Sequence, residues 1–369
     1  MHVLMASSGT KRDMSKRRAF TMVELLVVLA IALVIVSLVA AGTMQVIAYQ
    51  RTSDTEALIR MLMPPLNQQV KSVVDMAPKE PIPQSVSNIA AAGSPNDGRR
   101  ARIIWTKLRV KQLLPMNFSE ALAPWQLPSQ YYSAPFVNPS CMLGPGDLPA
   151  NPTYATVLSN AGITSGSPLP GAWPGESSPM LLLALQQAYN SSASKFAPDS
   201  LPPAALGSYP QQAGANYLLK QFIDAWQQPL VFYRWPAGNA DVDASNPAGP
   251  SVAFRDPLDP EGLLQDPAWN NWTNYSGRAG VFWFEQYCHP VHTGTGEGIY
   301  TPKSFYLVPT IVSAGRNNNL GLAQRAMPGP PFSLAIQSPL LPDLMTADGS
   351  GADGDNINSF LLRAGARGD

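Results

Sequence analysis

The sequence predicts an α+β protein in which one long N-terminal helix packs on a C-terminal antiparallel β-sheet, with a proline-rich insertion between them. Three features carry this expectation: an apolar run over 22–41 that continues into a helical pattern, a middle dense in Pro and Gly, and aromatic and β-branched runs in the last third. At 369 residues and 45% hydrophobic content, the chain holds enough apolar material for one large core or two modest ones. Only 14% of residues are charged, and 25 Lys plus Arg balance 25 Asp plus Glu, so no basic field points to nucleic acid.

The first element is set by charge. Lys11, Arg12, Lys16, Arg17 and Arg18 face a single acid, Asp13, within residues 1–19. By the positive-inside rule such a flank stays cytoplasmic, so the chain beyond it crosses outward once and the rest is extracytoplasmic. From Met22 to Ala41 every residue except Glu24 and Ser37 is apolar, the length a helix needs to span hydrocarbon. An ordinary secretory signal peptide, cut after Val39-Ala40-Ala41 and before Gly42, is one reading, and an uncleaved anchor is another. The signal-peptide reading leaves Glu24 unexplained, although a carboxylate in the bilayer costs about 3 kcal/mol and normally faces a partner.

The stretch "KRRAFTMVELLVVLA" (16–30) resembles the N-terminus of type IV prepilins. The resemblance implies that a membrane prepilin peptidase cuts between Ala19 and Phe20 on the cytoplasmic face and methylates the freed Phe20 amine. Ala19 stands where that family usually has Gly. Glu24 becomes the fifth mature residue, and the Phe20 amine of a neighbouring subunit supplies the cation that the buried carboxylate requires. Charge pairing then sets the axial register of helices stacked in a filament. The implied partners are the peptidase, other subunits, an inner-membrane assembly platform and the lipid bilayer.

Helical spacing continues past Gly42, with Val46, Tyr49, Leu58, Met61, Leu62 and Leu66 recurring at three- and four-residue steps. Pro64 and Pro65 are expected to interrupt this helix, since each removes a backbone hydrogen bond. The alternative is a soluble core helix, which the same apolar stripe would serve. Pro78, Pro81 and Pro83 end it, and residues 90–100 read as a loop. "ARIIWTKLRVKQLLP" (101–115) fits a short helix or a strand pair. Residues 178–192 read as a helix capped by Ser178 with Pro179 in its first turn. The expected division is 1–19 leader, 20–77 transmembrane and amphipathic helix, 78–220 insertion, and 221–369 sheet region with a polar loop.

In the last third, 222–235, 278–287 and 303–319 read as strands or strand-bearing runs. Asp224, Trp226, Pro229, Tyr233 and Arg234, then Ser313-Ala314-Gly315, then the polar run 347–360 resemble the C-terminal region of the major pseudopilin of type II secretion. That resemblance implies one calcium ion in the polar loop, for which this chain offers Asn317, Asn319, Asp348, Asp353 and Asp355. Oxygen donors of this kind suit calcium, although the spacing is not that of an EF-hand, and a flexible solvated loop is the alternative.

Enzymatic chemistry is not expected. Cys288, His289 and His292 are three potential zinc ligands with no second ligand pair, and phosphate-binding and nucleophile-elbow motifs are missing from the sequence. Cys141 and Cys288 allow one disulfide or none. Trp269, Trp272, Tyr275, Phe282, Trp283 and Phe284 read as a sheet core before they read as a glycan or subunit surface. The resulting expectation is a structural subunit, a pseudopilin of a type II secretion pseudopilus that drives protein export. A type IV pilin or adhesive minor pilin is the alternative within the same class. From another class, the rival is a secreted binding or hydrolytic domain behind a signal peptide.

Overall fold

The computed structural model describes residues 21–91, 98–125, 143–164, 175–187, 196–210, 218–234, 258–266, 269, 309–321, 355–359 and 362. The chain divides into two units between Gln50 and Arg51. The α+β organisation is the one the sequence predicts.

Helix α1 runs from Met22 to Met76. Over residues 21–50 every side chain is exposed except Ala48, which is half-buried, so Leu, Val and Ile cover the helix all round. Such a surface suits lipid rather than water, and the stretch is long and apolar enough to cross a membrane. Ser37 and Thr43 within it are satisfied locally. Ser37 Oγ donates to Val34 O at 2.8 Å and Thr43 Oγ1 to Ala40 O at 2.9 Å, which spares the hydrocarbon an unpaired donor.

In the second unit, α1 becomes one-sided, burying Leu58, Ile59, Leu62, Met63, Leu66 and Val73. Pro64 and Pro65 lie inside this helix without ending it, contrary to expectation. The carbonyls they leave without an i+4 donor belong to Arg60 and Met61, which are exposed, so water can satisfy them. The buried residues on either side hold the helix across the gap.

Among the described residues five further α-helices follow: α2 (Gln84–Ala91), α3 (Gly98–Leu113), α4 (Phe118–Leu122), α5 (Pro152–Asn160) and α6 (Ser177–Leu185). The ambiguous 101–115 segment is therefore helical. Helix α3 buries Arg100, Lys107 and Lys111 along with Ile104 and Leu108, which blurs its apolar stripe in the sequence. Arg100 is accommodated by Asp266 at 2.8 Å, the carbonyls of Ala90 and Leu263, and the face of Trp269 at 5.4 Å. Helix α6 forms at the start of the expected 178–192 helix but ends at Leu185, and Ser178 is not its cap. The N-cap is Glu176, and the Ser178 hydroxyl instead donates to Phe222 O at 2.7 Å.

The strands are short: β1 (Leu206–Ser208), β2 (Lys220–Phe222), β3 (Val231–Tyr233), β4 (Thr310–Ser313) and β5 (Ile357–Asn358). β1 pairs antiparallel with β2, and β3, β4 and β5 form a second antiparallel sheet with β4 in the middle. Residues 51–76 of α1, helices α2, α3 and α6, and β3–β5 share one core, to which Phe232, Tyr233, Ile311 and Val312 contribute. A smaller cluster gathers Phe118, Tyr154, Leu158, Met180 and Tyr209. Helix α6 belongs to both, with Met180 in the smaller and Leu181, Leu182 and Leu185 in the larger. Residues 278–287, expected as a strand, lie outside the described residues.

Candidate functional site

The N-terminal site is built on Thr21 and Glu24. Thr21 stands just before α1 and Glu24 in its first turn, where backbone N–H groups have no partner inside the helix. Glu24 Oε2 accepts from the Thr21 backbone N–H at 2.9 Å and from the Thr21 hydroxyl at 3.0 Å, while the Glu24 N–H donates to Thr21 Oγ1 at 3.3 Å. This reciprocal arrangement is a capping box, and a carboxylate there also complements the positive end of the helix dipole. Thr21-x-x-Glu24 is a legible signature of such a cap, and the charge of Glu24 alone drew notice in the sequence. Ala19 and Phe20 lie outside the described residues.

A second polar region gathers at the end of β4. Asp224 is buried in the turn between β2 and β3, where Gln227 takes a left-handed backbone at φ 65°. Its Oδ1 accepts from the Trp226 N–H at 2.8 Å and the Gln228 N–H at 2.9 Å, which holds that turn closed. Its Oδ2 accepts from the Ser313 hydroxyl at 2.6 Å. Burial pushes the Asp224 carboxyl up from its ordinary value, and these three donors offset part of that rise. Two of the three segments that carry the C-terminal resemblance, 224–234 and 313–315, thus meet through one carboxylate.

Beyond Ser313 the backbone turns sharply. Gly315 has φ +67°, and a Cβ there would lie 2.2 Å from the Asp355 carbonyl oxygen, so no side chain fits. Asp355 Oδ2 then accepts from the Asn317 N–H at 2.9 Å. Asn317 Oδ1 accepts from Asn319 N–H at 2.7 Å, and Asn319 Oδ1 from Gly321 N–H at 3.0 Å. Of the residues expected to hold a cation, Asn317, Asn319 and Asp355 are therefore gathered in one loop; Asp348 and Asp353 lie outside the described residues. The neighbouring Asn356 donates to Leu320 O at 2.7 Å, and its buried Oδ1 has no hydrogen-bond partner among the described residues. All these donors are oxygens, the kind that a hard cation such as calcium takes, so the donor set fits calcium in chemistry. One carboxylate of the expected three is among them, and no group of three His, Cys, Asp or Glu side chains sits at metal-binding distance among the described residues.

The larger buried charge cluster was not anticipated as a unit. Arg234 pairs with Glu120, which also receives Lys111 Nζ at 3.4 Å and the Met116 N–H at 2.8 Å. Arg234 was singled out by its position after Tyr233, whereas nothing in the sequence links it to a Glu in α4. Trp269 is a core residue that donates from Nε1 to Ile89 O at 2.8 Å. Trp272, Tyr275, Phe282, Trp283 and Phe284, together with Cys141, Cys288, His289 and His292, lie outside the described residues.

No curated protein and no solved structure matches the chain. Residues 14–43 match the family model described as the prokaryotic N-terminal methylation motif, an interval that contains Ala19, Phe20 and Glu24. The match, on an apolar helix that could anchor the chain, supports a type IV pilin-like protein processed by prepilin peptidase and associated with a membrane.

Proposed function

We propose that this chain is a pseudopilin, a structural subunit of a type II secretion pseudopilus held in the inner membrane with its N-terminus cytoplasmic and its head periplasmic. Its work is mechanical rather than catalytic. Prepilin peptidase cuts between Ala19 and Phe20, the assembly platform and other subunits receive the processed helix, and growth of the filament drives export. The observation that carries this reading is a single acid, Glu24, in the apolar run 22–41 of a helix that begins inside a prepilin methylation motif. The resemblance of segments 224–234, 313–315 and 347–360 to the major pseudopilin is the support for a pseudopilin over a surface pilin, and the Asp224–Ser313 contact joins the first two of them. In the single subunit the Glu24 carboxylate caps its own helix through Thr21, and assembly adds the Phe20 amine of a neighbour. Mass spectrometry of the mature N-terminus is the test. N-methyl-Phe20 is the expected species, and a chain that starts at Gly42 overturns the reading.

Calcium is proposed as the ligand of the 313–321 loop, held by Asn317, Asn319, Asp355, Asp348 and Asp353. The oxygen-only donor set and the partnerless Asn356 Oδ1 support it. Bound calcium would neutralise the carboxylates and cross-link the loop. The full chain in detergent should melt at a higher temperature as calcium is added, and an unchanged melting temperature at about 1–10 mM calcium removes this part.

A further inference from the structure

Four segments far apart in the chain are joined by one run of hydrogen bonds. Thr55 of α1, buried, accepts from the Ala225 N–H through Oγ1 at 3.2 Å. Ala225 adjoins Asp224, whose carboxylate closes the 224–228 turn and takes the Ser313 hydroxyl. Ser313 Oγ in turn accepts from the Gly315 N–H at 3.1 Å, Gly315 lies flat against the Asp355 carbonyl, and the Asp355 carboxylate accepts from Asn317. Thr55, Asp224 and Ser313 are buried, and Ala225, Trp226 and Gln228 partly so, so the Asp224–Ser313 link in particular is not readily replaced by water.

We infer that this run is a completion latch: residues 51–76 of α1 are fully seated at Thr55 only once the 355–359 segment has docked against the loop after β4. The chemistry of the links supports a coupled device rather than four separate bonds. Asp224 is shared, with one oxygen holding the turn that presents the Ala225 N–H and the other holding the strand end that presents Gly315. The Ser313 hydroxyl is shared likewise, donating to Asp224 while accepting from Gly315. Loss of the Asp355 end frees Gly315, weakens the orientation of the Ser313 hydroxyl and so loosens the carboxylate that shapes the 224–228 turn. The order of the chain gives the device its sense. Thr55 is synthesised long before Asp355, so the seat of α1 stays loose until the later part of the head has folded. A subunit with an unfolded C-terminal region would then present an imperfectly seated helix to its neighbours. The inference concerns the fold of the head and stands whether or not the protein is a pseudopilin and whether or not the loop binds calcium.

The test is amide hydrogen exchange on the full chain in detergent, read at Ala225. Gly315→Ala places a methyl against the Asp355 carbonyl and so pries the segment off at a distance from Thr55. Asp355→Ala is the milder variant, which removes only the acceptor for Asn317. Leu158→Ala, in the separate small cluster, is the control for general loss of stability, compared at equal distance below each variant's melting temperature. The expected result is that exchange of Ala225 quickens about tenfold or more in Gly315→Ala and measurably in Asp355→Ala, as the loss of a hydrogen bond in a buried network implies, while Leu158→Ala leaves it unchanged. Equal quickening in Leu158→Ala, or an Ala225 amide indifferent to both loop variants, overturns the latch.

Discussion

Arg234 and Glu120 face each other through two parallel hydrogen bonds of 2.9 and 3.0 Å, with both side chains buried. The guanidinium also donates to Leu114 O at 3.0 Å, and Lys111 stands on the other side of the carboxylate. Two cations and one anion are thus packed where water is excluded. Glu120→Gln should cost about 3–5 kcal/mol, because it leaves the buried cations without their counter-charge. Urea unfolding of the full chain measures this, and a loss below about 1 kcal/mol would contradict the account.

The same carboxylate sets an acid limit. Burial pushes the Glu120 carboxyl up, but Arg234, Lys111 and the hydrogen bonds it accepts bring it below its ordinary value. A carboxyl held lower in the folded state contributes stability at pH values above its unfolded value, and that contribution is lost as pH falls through the folded value. Melting temperature should therefore drop on acidification below the ordinary glutamate range. Glu120→Gln should flatten that drop while lowering the plateau.

Glu176 behaves in the opposite sense. Burial raises its carboxyl, and the Phe118 N–H at 2.9 Å offsets this in part. Tyr209 nearby is pushed up to about 12, first by burial and then by the Glu176 charge. A carboxyl raised in the folded state favours folding while protonated, so stability declines as pH rises from the ordinary glutamate value through the folded one. Glu176→Gln still accepts the Phe118 N–H without a charge. It should be more stable than the parent at neutral pH, and the difference should close in acid; thermal melts from pH 4 to 8 read the sign directly.

Replacing Pro64 and Pro65 together with Ala restores two backbone hydrogen bonds inside α1. Alanine in a helix interior is favoured over proline by about 3 kcal/mol, less about 1 kcal/mol for the looser unfolded chain. The double variant should unfold at higher urea than the parent with an unchanged circular dichroism spectrum. A loss of stability would mean that the prolines relieve strain in this helix.

Glu24→Ala and Thr21→Val separate two roles at the membrane end. Glu24→Ala should still insert and be cleaved but fail to enter filaments. Thr21→Val removes the hydroxyl of the cap, worth about 1 kcal/mol to the helix, and keeps the carboxylate. It should assemble. Failure of Thr21→Val with success of Glu24→Ala would place the function in the cap rather than in charge pairing.

Much of this was readable before any coordinates. The apolar run fixed α1 because no other element buries or exposes twenty such residues in a row, and the aromatic and β-branched runs located β3 and β4. The middle was opaque for a physical reason. Helix α3 buries Arg100, Lys107 and Lys111, so its charged residues do not mark a wet face, whereas α6, apolar behind its Ser178-Pro179 start, was legible as a helix. The loop near β4 was legible by residue type in Asn317, Asn319 and Asp355. Its connection to Asp224 was not, since a contact between a turn and a strand end 89 residues apart leaves no periodic trace. Pro64 and Pro65 misled because sequence shows the lost hydrogen bonds and not the exposed side on which they are lost.

Helix α6 has a practical consequence. Since Met180, Leu181, Leu182, Ala184 and Leu185 belong to the two apolar clusters and Leu183 alone in the helix is partly exposed, its amides resist opening by fraying or by a local hinge. They exchange with solvent only when the whole head comes apart. Their exchange rate is therefore an internal gauge of the head's total stability, against which any partial opening elsewhere in the same molecule can be read in a single experiment.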